Sequence, residues 1–473
     1  VIGAGPAGLA AAEFAARRGF RVALFEARRL GGTSLNAGSV PSKALIRSAT
    51  LFAGIREAAR LQDAAAPQPL ADLGRLAERL RSIEARIGRY HSPARLAALG
   101  VEVRFGAVHF LDRRTLATAD GPVRFDRALL ATGARPAPHG ITGLTPAAAL
   151  TSESIFDLQQ LPRRLAVVGG GPLGCELAQA FCRLGAQVTI VQNEPEFLPR
   201  EERDAAQILA RAMARDGVNI ILNTEVIEAQ TENGQVRLLT ESYAERRHVL
   251  ADQVLVSVGR VPQLTGLNLE GAGIGFDQVQ GIMVDDFLCT TNARVYAAGD
   301  VCMAHKYTHV AQASAELAAH NALSQGRARR FSDLTIPWCT FCAPEIAHVG
   351  LQVWEARAQG IPVNTYTVMM QDVDRAITDM QDAGFVKLHV AQGSDHILGA
   401  TIVAARASEM INEVCVAMHS GIGLRALADV VHTYPAQAAA IHMAARSFCA
   451  DSGSGRRPRR NATAATRRLA PRR

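Results

Sequence analysis

Short apolar runs, each ending in a glycine-rich turn and followed by residues at helical spacing, organise the first two thirds of the chain. Val1-Ile2 runs into Gly3-Ala4-Gly5-Pro6-Ala7-Gly8, a helix is expected to about Arg18, and Phe20 to Phe25 reads as a second strand. A helical stretch follows from roughly Pro41 to Leu99, with an Ala/Pro-rich break near Ala64 to Pro69, and strands then lead to Ala131-Thr132-Gly133. The same unit recurs about 166 residues later: strand Leu165 to Val168, turn Gly169-Gly170-Gly171-Pro172-Leu173-Gly174, a helix through about Leu184 and a strand from Gln187 to Val191. After Gly299-Asp300 a helix from about Val310 to Leu323 closes the second pass. Beyond Phe331 the pattern turns β-rich and antiparallel (Gly384 to Val390, then Ile397 to Val403) and ends in two helices, an α+β arrangement.

Composition changes this picture little. The 473 residues suffice for about three domains, and 48 % hydrophobic with 20 % charged residues is ordinary for a soluble globular protein. No apolar run approaches the ~20 residues of a membrane helix, so no span is expected. The formal charge of +7 is local: Arg456 to Arg473 holds eight arginines and no acid, leaving −1 for the rest. That Gly/Ser/Pro/Arg-rich arm reads as a disordered, solvated extension, with at most weak contacts to nucleic acid or an anionic surface. Eight cysteines at 175, 182, 289, 302, 339, 342, 415 and 449 show no framework spacing, which fits a reducing, cytoplasmic compartment. The one CxxC, Cys339-Thr340-Phe341-Cys342, lies in an expected strand, where side chains three apart point to opposite faces, and reads as structural. No metal site is expected. The chain opens inside a strand without an initiator methionine, which implies upstream residues and leaves any targeting segment unread.

The two turns carry the first chemistry. A GxGxxG turn that follows an apolar strand and opens a helix offers free amides and a helix dipole to a pyrophosphate. Gly3, Gly5 and Gly8 supply it in the first unit, and Glu26, ending the second strand, stands where a carboxylate grips a ribose hydroxyl. Gly169, Gly171 and Gly174 supply it in the second. There Gln192 holds the ribose position, neither the acid that favours NAD nor the arginine that welcomes a 2′-phosphate, so NADH and NADPH both stay open. The expected fold is α/β: two nested Rossmann-like dinucleotide-binding domains plus a C-terminal α+β domain. The expected division is 1–150 and 271–330 for one nucleotide domain, 151–270 for the other, 331–450 for the interface domain and 451–473 for the arm.

Around the first unit the residues resemble a known family. Gly31-Gly32-Thr33-Ser34-Leu35-Asn36-Ala37-Gly38-Ser39-Val40-Pro41-Ser42-Lys43 is similar to the active-site segment of the class I pyridine nucleotide-disulfide oxidoreductases, which include glutathione reductase, dihydrolipoamide dehydrogenase and mercuric reductase. Ala131-Thr132-Gly133, Val258 to Pro262, Tyr296 to Val301 and Pro344 to Gly350 match in family order. Gly169 to Glu176 and His432-Thr433-Tyr434-Pro435 look nearest the mercuric-reductase-like branch. The resemblance implies FAD in the first domain, at Gly3, Gly5, Gly8, Glu26, Gly32, Thr33, Lys43, Thr132, Gly133, Asp300, Val310 and Ala311. It implies NADH or NADPH in the second, at Gly169, Gly171, Gly174, Glu176, Gln192 and Gly259. Asp300 would bond the ribityl chain, Lys43 would pair with Glu176 beside flavin N5, and the helix near Val310 would aim its N-terminus at the N1–C2 carbonyl edge. Relatives are homodimers joined through the last domain, which would carry Tyr434 to the other subunit's flavin.

The same resemblance exposes departures. The family's redox pair is a C-x4-C, and its positions here are Ser34 and Ser39, which form no disulfide and, unlike a thiol of pKa about 8.5, stay protonated. The family's His-Glu pair falls at Tyr434 and Ala439, Pro172 takes the place of a tyrosine gate, and only Cys449 remains of a C-terminal cysteine pair. The expected function is therefore an FAD-dependent NAD(P)H oxidoreductase that passes electrons to a small external acceptor (a quinone, oxygen or a dye-like compound) without thiols. The alternatives are a mercuric-reductase-like or disulfide reductase, if the serines are engineered replacements, and a non-catalytic FAD-binding protein.

Overall fold

The computed structural model describes residues 1–61, 71–145, 148–232, 234–324 and 326–452; the Ala/Pro-rich break and the arginine-rich arm lie outside them. These residues gather into two compact units, Val1–Pro195 with Gly217–Asp333, and Glu196–Asp216 with the chain from Leu334 onward.

In the first unit a parallel sheet runs in the order Val101–Phe105, Val22–Glu26, Ile2, Ala128–Leu130, Val295–Ala297, its middle place held by bridges from Ile2 to Phe25 and Leu130. A second parallel sheet repeats that plan as Asn219–Ile221, Gln187–Val191, Arg164–Val168, Gln253–Val256, Ala149–Leu150. Leu165, Ala166, Val167 and Val168 are all buried, as an apolar run covered on both faces must be. Helices Pro6–Ala16 and Thr308–Leu323 pack through small side chains, including Ala7, Ala11, Ala311 and Ala315. The first helix stops before the expected Arg18, because Gly19 takes φ 82 and its amide closes on Ala16 O. The last begins at Thr308, two residues before the expected start. The long helical stretch divides into Ser39–Leu61, Leu73–Gly88 and Pro93–Ala98, preceded by a short turn of helix, Gly32–Asn36.

The second unit holds an antiparallel sheet ordered Pro337–Thr340, Glu345–Gly350, Ile397–Ala404, Phe385–Ala391, Val363–Met369. Helices Ala407–His419, Leu424–Ala428 and Ala439–Ser452 follow it, three where the pattern suggests two. Residues 196–216, which the sequence reading places in the 151–270 domain, pack with this sheet. A polar network explains why. Lys387 and His389 share one face of their strand, being two apart. Lys387 Nζ donates to Glu202 Oε2 at 2.7 Å and to Asp204 Oδ2, while His389 Nε2 lies 3.0 Å from Glu202 Oε1. Glu201 accepts from Trp338 Nε1 at 3.2 Å and Thr340 Oγ1 at 3.3 Å. Burial raises the Glu202 carboxyl, but the His389 and Lys387 bonds outweigh it and bring it down to about 2. Among the described residues no cation pairs with Glu201, so burial prevails over its two donors and pushes it up to about 7.

The two shifts act on stability with opposite sign. A carboxyl lowered to about 2 stabilises the fold above its ordinary 4.5 and loses that contribution as pH falls towards 2. One raised from 4.5 to about 7 keeps its proton when folded and releases it when unfolded, so stability declines as pH rises through that window, by roughly 3 kcal/mol. Glu201→Gln keeps an acceptor for Trp338 and Thr340 without the titration. Its thermal midpoint, followed by calorimetry from about pH 5 to 8, should be flatter than that of the native chain and higher at the upper end. Parallel curves would contradict the assignment.

Candidate functional site

In each GxGxxG turn, packing demands the first and last glycines of the motif and not the middle one. Gly3 and Gly169 take φ 95 and 101, and a Cβ on either would lie 2.4 Å from the carbonyl oxygen of Ala131 or Ser257. A Cβ on Gly8 or Gly174 would lie 1.7 or 2.2 Å from the oxygen of Gly3 or Gly169, so each helix seats on its own turn only without a side chain there. Gly5 and Gly171 differ. Their φ values of −74 and −72 suit any residue. A Cβ on Gly171 would meet nothing within 4 Å, and one on Gly5 only Gly32 Cα at 3.7 Å. Nothing in the chain's own packing among the described residues requires glycine at these two places; close approach of a ligand to bare backbone would. Both residues cap helices, Pro6–Ala16 and Pro172–Leu184, whose first-turn amides lack intrahelical acceptors and concentrate positive potential. An anionic pyrophosphate fits that combination, so both turns suit the nucleotides expected there.

The strand-end residues clasp these turns in the same way. Glu26 Oε2 accepts from Ala4 N at 2.8 Å, and Gln192 Oε1 accepts from Gly170 N at 2.6 Å. Glu26 Oε1 also accepts from Arg28 N at 2.7 Å. Gly32, at φ 55, brings the start of helix Gly32–Asn36 over the first turn, where a Cβ would lie 2.6 Å from Gly5 Cα. Thr132 Oγ1 donates to Gln263 O at 2.8 Å, while Gly133 and Gly259 take φ 73 and 113 with open space at their Cβ positions.

Between the two nucleotide units the structure joins Lys43 and Glu176: Nζ lies 2.7 Å from Oε2, with Glu176 only 4 % exposed and the lysine about a third exposed. Ser34 Oγ and Ser39 Oγ lie 2.9 and 3.1 Å from one atom, Thr308 Oγ1. Thr308 is the first residue of its helix, so the amides of Thr308, His309 and Val310 open it without intrahelical acceptors. The Ala311 amide, one residue further on, donates to Tyr307 O at 2.9 Å. Asp300 lies 3.6 Å from Arg260 Nε, and Lys306 Nζ donates to the Asp300 carbonyl at 3.2 Å. Burial raises the Asp300 carboxyl, partly offset by the charges of Arg260 and Lys306. Arg260 further donates to Ala134 O and, at 3.4 Å, to Thr33 Oγ1. In the second unit Tyr434 is 76 % exposed and donates to Asp374 Oδ2 at 2.8 Å. His432 Nε2 lies 2.8 Å from Glu413 Oε1.

Arg260, Lys306 and Thr308 are absent from the residues picked from sequence. Arg260 stands inside the quoted Val258–Pro262 run, a signal that was available. Thr308 offered none, since a hydroxyl contact across 274 residues leaves no local pattern. Cys339 lies in the strand Pro337–Thr340 and Cys342 is buried beyond its end.

The glycine analysis separates folding from binding. Gly5→Ala should fold yet retain FAD at least about tenfold more weakly, ~1.4 kcal/mol, and Gly171→Ala should keep FAD while weakening NAD(P)H binding similarly. Gly8→Ala should fail to fold. Flavin content after gel filtration and nucleotide titration check this; normal binding in both of the first two variants would contradict it.

The description Pyridine nucleotide-disulphide oxidoreductase matches residues 1–326, and the dimerisation domain of the same group matches residues 336–445. The chain is 33 % identical over 458 residues to mercuric reductase of Streptomyces lividans, covering 95 % of this chain and 96 % of that protein. It is 30 % identical over 443 residues to dihydrolipoyl dehydrogenase of Mycoplasma pneumoniae, covering 92 % and 94 %. Among solved structures, LpdA of Mycobacterium tuberculosis superposes with TM-score 0.86 at 29 % identity, covering 94 % of this chain and 98 % of that one. The HOCl-induced flavoprotein disulfide reductase RclA of Escherichia coli gives 0.83 at 28 %, covering 93 % and 98 %. No helix among the described residues is long and apolar enough to cross a membrane. With two nucleotide turns, a lysine–glutamate pair between them and a dimerisation domain after them, the chain belongs to the pyridine nucleotide-disulfide oxidoreductases, a family of FAD- and NAD(P)H-dependent enzymes.

Proposed function

We propose that this enzyme oxidises NADH or NADPH and passes the electron pair to a small external acceptor, such as a quinone, oxygen or a dye-like compound, with no thiol relay. The observation that carries this reading is the hydroxyl triad. Ser34, Ser39 and Thr308 meet within 2.9 and 3.1 Å, at the two positions where the resemblance puts the family's redox cysteines. Hydroxyls hold position by hydrogen bonding but neither take up nor release electrons, and they do not ionise at working pH as a thiol can. When bound, FAD supplies the two-electron relay between donor and acceptor.

The remaining residues hold and polarise. Lys43, fixed by a nearly buried Glu176, keeps a positive charge in a defined place, favouring charge build-up beside it. The open amides at the start of helix Thr308–Leu323 add a partial positive charge near Ser34 and Ser39. Asp300, held between Arg260 and Lys306, offers acceptors for a polyhydroxyl chain. Mercuric reductases and disulfide reductases among the relatives suggest the other reading, which requires thiols at 34 and 39.

Anaerobic addition of NADH or NADPH to the FAD-loaded protein should bleach the flavin, and a quinone or oxygen should restore its colour. Ser34→Cys/Ser39→Cys should add a long-wavelength thiolate-to-flavin absorbance band that the native chain lacks. Mercury- or disulfide-dependent oxidation of NAD(P)H by the native chain, at rates matching the quinone reaction, would overturn the proposal. No bleaching with either donor would favour a non-catalytic flavin-binding protein.

A further inference from the structure

The loop between the strand Val295–Ala297 and the helix Thr308–Leu323 closes on itself through one side chain. Gly299 starts it at φ 75, and its carbonyl accepts from Cys302 N and Met303 N at 3.1 and 3.0 Å. Lys306 then reaches back. Its Nζ donates to Met303 O at 2.8 Å and to Asp300 O at 3.2 Å, which fixes the ammonium between the Asp300 turn and the start of the helix. Carbonyl oxygens hold an ammonium in place without cancelling its charge. The side chain is half-buried, so salt and water screen it less than they would an exposed lysine.

The neighbouring charges divide the work. Arg260 Nε lies 3.6 Å from Asp300 Oδ2, with both side chains only 20 % exposed. Burial raises the Asp300 carboxyl, and Arg260 and then Lys306 draw it partway down. Two cations thus act on the one carboxylate of Asp300, Arg260 facing its oxygens and Lys306 held on the backbone behind it. Lys43, by comparison, presents its charge at one end of an ion pair, with Glu176 Oε2 2.7 Å from Nζ. The amides that open helix Thr308–Leu323 contribute partial charge.

We infer that Lys306 is a second cation for the flavin, beside Lys43, and that its charge raises the flavin's reduction potential. The inference uses FAD at the first glycine turn and at Asp300. It is independent of the acceptor, so it extends the proposed function without resting on the thiol-free step. A bound flavin gains negative charge as it takes up an electron pair, and a fixed cation nearby favours the reduced form. The clasp supplies the fixing. It ties Lys306 to Asp300, on one side, within two residues of the helix amides on the other.

Two substitutions separate charge from clasp. Lys306→Gln keeps a side-chain donor and removes the charge, whereas Lys306→Arg keeps both. Each protein is gel-filtered after loading with FAD, its flavin content is measured, and its reduction potential is read anaerobically by equilibration against reference dyes. Lys306→Gln should lower the potential by at least about 30 mV, a tenfold shift of a two-electron equilibrium, with flavin content unchanged. Lys306→Arg should stay near the native value. A native potential in Lys306→Gln would overturn the inference. So would an equal drop in Lys306→Arg, since loop geometry and not charge would then account for the shift. Loss of FAD from Lys306→Gln under excess FAD would assign the lysine to holding the loop and would equally overturn it. A native chain that binds no FAD would remove the cofactor reading, and this inference with it.

Discussion

The seat of a helix on its own turn is the constraint from which the site follows. Gly3 O stands where a Cβ of residue 8 would be, and Gly169 O where one of residue 174 would be. That contact brings each helix N-terminus hard against the end of its first strand. The middle glycine is then left facing outward, among amides with no acceptor in the helix. The strand-end side chain completes the arrangement by binding the turn from below, Glu26 to Ala4 and Gln192 to Gly170. Two copies of one geometric solution thus provide two anion-receptive sites, and the pair Lys43–Glu176 ties helix Ser39–Leu61 to helix Pro172–Leu184, which leaves the second turn.

The proposed departure from the family is chemical rather than architectural. Serine and cysteine are close in shape, so Ser34 and Ser39 leave helices Gly32–Asn36 and Ser39–Leu61 undisturbed. Their oxygens turn to Thr308, a bridge made of hydrogen bonds at the two positions where the resemblance puts the family's redox cysteines. Such a bridge positions the start of helix Thr308–Leu323 and remains redox-silent. Electrostatic support for reduction is independent of thiols, since it comes from Lys43 and from helix amides.

The sequence made the nucleotide units legible because their signals are local: apolar runs, glycine spacing and a polar residue at the next strand end. The Lys43–Glu176 pairing was legible only through resemblance, since nothing within either segment points to the other. The grouping of Glu196–Asp216 with the second unit was not readable at all. It depends on Glu201 and Glu202 meeting Trp338, Lys387 and His389, contacts more than 130 residues apart. Thr308 was missed for the same reason, and the helix it opens starts two residues earlier than its hydrophobic pattern indicates.

The count of electrons taken up by the native protein bears most directly on the claim that the flavin alone carries the redox chemistry. Anaerobic dithionite titration of the FAD-loaded chain should reach its end point at two electron equivalents per bound FAD, with no lag before the flavin absorbance is lost. Uptake of four equivalents would mean that a second, thiol-based centre shares the load, and would contradict the account.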